Sequence, residues 1–156
     1  MPTHDILVSI DPAFGRRIQA DWLTGIARIA LEHEGVGDCQ LSVAVTDDAQ
    51  VRALNREYAD DDHATDVLSF SQEEGEEFVA PPGGPPRLGD VIISFETAER
   101  QAKGAGRDVE AELAHLLAHG IMHLLGYDHA EPGEEHEMRA RERAVLALAG
   151  IVERAH

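Results

Sequence analysis

Apolar positions along this chain alternate between a two-residue and a three-to-four-residue period, and the elements can be read from the switches. Residues 5–10, DILVSI, are rich in β-branched side chains and predict a first strand that Asp11-Pro12 breaks. Over residues 13–33, Ile18, Trp22, Leu23, Ile26, Ile29, Ala30 and Leu31 recur at helical spacing and predict one long amphipathic helix. Residues 39–46, CQLSVAVT, predict a second strand running into Asp47-Asp48, a natural helix cap. The helix that follows, about 49–58, carries Val51, Leu54, Asn55 and Tyr58 on one face. Residues 65–71 predict a third strand, 72–87 an acidic and then Pro/Gly-rich excursion, and 88–95 a fourth strand. A short helix from 96 to about 104, a longer one from about 107 and a final one over 134–148 complete the chain. In the last helix, Met138, Ala144, Val145 and Leu148 form the expected packing face. The crossovers are long enough for parallel pairing. The expectation is therefore one α+β domain over residues 1–156, a mixed sheet of about four strands packed with about five helices.

Chemistry concentrates in residues 112–129, ELAHLLAHGIMHLLGYDH. Leu113, Leu116, Leu117, Ile121, Leu124 and Leu125 make this a core-packed helix. His119 and His123 stand four apart, one above the other on a helix, so both imidazoles can face one ion. Gly126 is placed to end the helix in a left-handed conformation and let the chain bring His129 round as a third ligand. Three imidazoles with one open position is the arrangement of catalytic zinc. His115 also lies in the stripe, but the turn at Gly126 favours His123 as the partner of His119, leaving His115 outside the ligand set. The spacing matches the metzincin ligands, except that Gly120 stands where those proteases carry a glutamate base. Asp128, beside His129, is a carboxylate able to orient a ligating ring. Tyr127 is read as packing the turn, and Cys39 as a buried small hydrophobe.

The run His119-Gly120-Ile121-Met122-His123-Leu124-Leu125-Gly126-Tyr127-Asp128-His129 resembles the signature of the YbeY family of bacterial endoribonucleases. Thr65-Asp66-Val67-Leu68-Ser69-Phe70, Leu88-Gly89-Asp90-Val91-Ile92-Ile93-Ser94 and Leu54-Asn55-Arg56-Glu57-Tyr58 resemble further blocks of that family, in the same order. The resemblance implies one zinc on His119, His123 and His129, and single-strand-specific cleavage of RNA in ribosomal RNA maturation and ribosome quality control. It also implies small-subunit ribosomal proteins as partners, with neither DNA nor membrane involved. The chain departs from the pattern at Ala59, where the family carries an arginine considered functional, and at His63-Ala64. Arg56, three residues earlier on the same helix, is the candidate replacement cation, and Arg56 and Asp128 are the candidate catalytic residues beside the three histidines.

Composition adjusts this picture. The net charge of −17, with one lysine against 12 arginines, describes a solvated acidic surface, or a high-salt cytoplasm for which no second signal exists. Diffuse attraction cannot then gather RNA, which must be met by a local arginine and the metal's charge. A single cysteine excludes an intramolecular disulfide. No basic leader or membrane-length apolar run is visible, so the expectation is a cytoplasmic protein. Two other readings stay open: a zinc hydrolase of another substrate class, disfavoured for peptides by Gly120, and a non-catalytic zinc protein associated with the ribosome.

Overall fold

A computed structural model of the chain describes residues 3–59, 67–71, 86–127 and 132–151. Its elements are β1 (His4–Ile10), a 3-10 turn (Pro12–Phe14), α1 (Ala20–His33), β2 (Cys39–Thr46), α2 (Asp48–Ala59), β3 (Val67–Ser71), β4 (Arg87–Ser94), α3 (Phe95–Ala105), α4 (Val109–Leu124) and α5 (Pro132–Leu148). The sheet runs β1-β2-β4-β3. β1–β2 and β2–β4 are parallel, and β3 returns antiparallel to β4 with Val67 opposite Ile93 and Ser71 opposite Gly89. This is the mixed sheet the crossover lengths imply.

Strand alternation puts Leu41, Val43, Val45, Val91 and Ile93 on the covered face, where they meet the apolar stripes of the helices. α4 is the central helix and packs against α1, α3, α5, β3 and β4. Cys39 is buried, and burial pushes its thiol up from the ordinary value.

The long first helix is two pieces. Asp11 Oδ1 accepts a bond from the Ala13 N–H at 3.0 Å and opens the 3-10 turn, Gln19 is extended, and α1 starts only at Ala20. The break lets Phe14 stack on Phe95, with ring centroids 4.6 Å apart, while Ile18 is also buried. A continuous helix would be fixed in direction by α1 alone. At the next junction Asp47 Oδ1 accepts from the Gln50 N–H at 2.8 Å and caps α2. That frees Asp48 to bind Ser94, Thr97 Oγ1 at 2.6 Å and Arg100, tying the start of α2 to the start of α3. Ser94 itself caps α3 by accepting from the Thr97 N–H, so the fourth strand ends one residue earlier than the apolar run suggests.

The packing face of α5 also differs from expectation. Met138, Glu142, Val145 and Leu146 are buried, whereas Leu148 is 63% exposed. At 3.6 residues per turn, Glu142 lies in the middle of the buried stripe. A reading restricted to apolar residues skips it and rotates the helix toward Leu148.

Candidate metal centre

The sequence dictates α4 from both ends. Asp108 precedes it in an extended conformation, with Glu110 and Glu112 in the first turn, where carboxylates suit the helix dipole. The helix ends as Gly126 predicts. Gly126 has φ 100°, its N–H bonds to the His123 carbonyl at 3.0 Å, and the Tyr127 N–H bonds to the Met122 carbonyl at 3.1 Å. These paired bonds satisfy carbonyls of the last turn around a left-handed glycine. Between Glu112 and Met122, every residue is buried except His115 and His119. His123 continues the line, half-buried like the other two. From Glu112 to His123 the three imidazoles are thus the places where the helix reaches solvent.

The His119 and His123 rings lie edge to face, with centroids 4.8 Å apart, while His115 and His119 are 6.3 Å apart. Behind them sits Glu142 of α5, only 3% exposed. Its Oε2 accepts from His119 Nδ1 at 2.9 Å, and its Oε1 from His115 Nε2 at 3.1 Å. Burial pushes the Glu142 carboxyl up, but the two imidazoles outweigh it and bring it down to about 2. Further along α4, Glu112 Oε1 lies 3.7 Å from His115 Nδ1, and Glu112 Oε2 is paired with Arg107 Nε at 2.9 Å. Flanked by the carboxylates of Glu112 and Glu142, His115 is pushed up to about 9 despite its burial. Both ring nitrogens of His115 thus face carboxylates, Nε2 toward Glu142 and Nδ1 toward Glu112.

A buried carboxylate bonded to the far nitrogen of a histidine is the partner that ligating histidines ordinarily have. Two adjacent imidazoles at a solvent-reaching point, one backed in this way, fit a zinc ion. Among the described residues, no group of three His, Cys, Asp or Glu side chains is arranged to hold a metal. The expected third ligand, His129, and its neighbour Asp128 lie outside the described residues.

Gly120 faces the sheet. A Cβ built there would lie 2.7 Å from Val91 Cγ1 and 3.4 Å from Val67 Cγ2. Val91 is fully buried and stiff at χ1, so it cannot swing away. The position of the metzincin base is therefore filled by β4 itself, and α4 lies too close to the sheet for a glutamate side chain there.

Beyond the helix, Tyr127 packs the turn. Its hydroxyl donates to Glu34 Oε1 at 3.0 Å, and the Arg141 guanidinium lies over its ring, 5.1 Å from the centroid. Arg141 Nη1 donates to both Glu34 oxygens at 3.0 Å. The residue after α1, the exit of α4 and the middle of α5 are thus clamped together.

A family model described as endoribonuclease YbeY matches residues 13–150. The chain belongs to the YbeY family. One family member, from Roseiflexus castenholzii, is 39% identical over 97% of this chain and 98% of its own length. Another, from Aquifex aeolicus, is 47% identical over 85% of each chain. Both are named endoribonuclease YbeY. The solution structure of TM1509 from Thermotoga maritima shares the fold, with a TM-score of 0.59 at 20% identity over 97% of this chain and 99% of that one.

Seen against this YbeY frame, Arg56 stands on the last turn of α2 at an exposed position, as does Arg52 one turn earlier. α2 packs on β3 and β4, the two strands that α4 also crosses. Ala59, at the family arginine position, is the last residue of α2, and His63-Ala64 lie outside the described residues. The residue that sequence reasoning missed is Glu142. Its signal was a carboxylate four after Met138 and three before Val145, on a stripe otherwise apolar.

Proposed function

We propose that this chain is a zinc-dependent, single-strand-specific endoribonuclease of the cytoplasm. It acts in ribosomal RNA maturation and ribosome quality control, with one zinc held by His119, His123 and His129. Family membership supports RNA as substrate, and small-subunit ribosomal proteins are the partners this reading implies. The observation that carries the metal is the pairing of His119 and His123 in front of the buried Glu142. Zinc bound there supplies a Lewis acid for a phosphoryl oxygen and a water of lowered pKa.

The chain's own residues supply the rest. Glu142 holds the His119 ring, and the Tyr127–Glu34–Arg141 clamp holds the turn after α4 against α1 and α5. A cation near the cleaved phosphate would be Arg56, on the helix that shares β3 and β4 with α4. Gly120 weighs against peptide hydrolysis, since no carboxylate can stand beside the first histidine. Among the described residues, no helix is long and apolar enough to cross a membrane.

The test combines zinc content with cleavage. Purified protein should contain one zinc, cut unstructured RNA and leave casein and peptides intact. His119→Ala, His123→Ala and His129→Ala should each lose both metal and cleavage. Zinc-dependent peptide hydrolysis without RNA cleavage would refute the substrate, and zinc retained with no hydrolysis of any kind would point to the non-catalytic role.

A further inference from the structure

We infer that Glu142 is a positioning residue that turns the Nε2 edge of His119 toward the metal position, and that His115 is the second anchor holding Glu142 in place. This rests on the proposed metal reading. A carboxylate only accepts, so the 2.9 Å contact between His119 Nδ1 and Glu142 Oε2 requires the proton on Nδ1. In a neutral ring that leaves the lone pair on Nε2, the tautomer a metal needs. The ring's rotation is set by the same bond, because Glu142 comes from a different helix and is buried in the α4–α5 contact.

A buried carboxylate with one partner would retain an unsatisfied oxygen. His115 removes that problem. It stands one turn before His119 and donates from Nε2 to the other oxygen at 3.1 Å. Glu112 and Arg107 continue the series behind His115, with Glu112 lying between the His115 ring and the Arg107 guanidinium. The stripe of three histidines is thus divided by role: His119 and His123 face the metal position, and His115 faces the carboxylate that aims His119.

Two readouts on the full chain decide the matter. The first is the His119 tautomer in the metal-free protein, from nitrogen-15 imidazole spectra. Wild type should carry the proton on Nδ1, and Glu142→Ala should lose that preference. The second is zinc affinity by competition with a chromophoric chelator. Glu142→Ala should weaken binding about 10–100-fold. Glu142→Gln, nearly isosteric and able to accept through one oxygen only, should fall between. His115→Ala should weaken zinc less than Glu142→Ala while keeping one zinc per chain. Melting curves of Glu142→Gln separate positioning from unfolding, since only positioning changes the tautomer in a chain that melts as a folded protein. Wild-type tautomer and zinc affinity in both Glu142 variants would overturn the inference, as would loss of stoichiometric zinc in His115→Ala. A wild-type chain with no zinc affinity would overturn the metal reading alone, and the tautomer would then decide the positioning role by itself.

Discussion

Gly120 shows most plainly how one residue limits the chemistry available to this site. Alanine there would gain helix propensity worth about 1 kcal/mol over glycine. The 2.7 Å approach to Val91 opposes it, and overpacking a filled core costs about 1–3 kcal/mol. With Val91 fully buried and β-branched, the clash prevails, and Gly120→Ala should lower the unfolding free energy by roughly 1 kcal/mol in urea titrations. Gly120→Glu, the peptidase residue, should fail to fold or force α4 off β4. A stable Gly120→Glu variant with proteolytic activity would show that the sheet does not exclude the base. Arg56 is the second case. If it replaces the cation missing at Ala59, Arg56→Ala should slow single-turnover RNA cleavage about 10²–10³-fold with zinc content unchanged. A silent Arg56→Ala together with faster cleavage by Ala59→Arg would mean that nothing compensates.

Among the elements, the clamp joining α1, α5 and the exit of α4 makes a prediction in acid. Burial raises the Glu34 carboxyl, but hydrogen bonds from His33, Tyr127 and Arg141 outweigh it and hold it below its ordinary 4.5. A folded-state value below the unfolded one means that the clamp's contribution is complete above about 4.5 and is lost as pH falls through the depressed value. Glu34→Gln should therefore be less stable than wild type at neutral pH, and the difference should shrink as pH falls below 4.5 and through the depressed value. Urea midpoints measured across that range check this. A difference that stays constant with pH would remove Glu34's charge from the account. Other carboxylates held low, Glu112 and Glu142 among them, steepen the acid limb of both proteins alike and cancel in the comparison.

For the molecule as a whole, the decisive quantity is the net charge of −17. Many of its cations are already committed: Arg17 to Glu99, Arg87 to Asp90, Arg100 to Asp48, Arg107 to Glu112, Arg139 to Glu135 and Arg141 to Glu34. An RNA strand should therefore displace few counterions on binding. The logarithm of RNA affinity should fall with the logarithm of salt with a slope near that of about one to three phosphate contacts, at about 0.7 per contact for a single strand. Filter-binding or anisotropy titrations with a non-cleaving His119→Ala chain would measure it. A slope equivalent to six or more contacts would reveal a basic surface that the described residues do not account for.

The sequence by itself determined the helical register of His119 and His123, the left-handed end at Gly126, the strand and helix order, and the absence of a glutamate at position 120. All of these depend on local periodicity or on a single residue's backbone freedom, which a linear pattern carries. It missed the break between Phe14 and Ala20, because the stacking of Phe14 on Phe95 joins residues far apart in the chain. It also missed the facing direction of α5, because a charged residue is assigned to solvent until its partners are known. Only the tertiary structure put Glu142 behind His115 and His119, from 27 and 23 residues away. The same packing showed why position 120 disfavours any side chain: the constraint comes from Val91 on a neighbouring strand, not from the helix that carries the glycine.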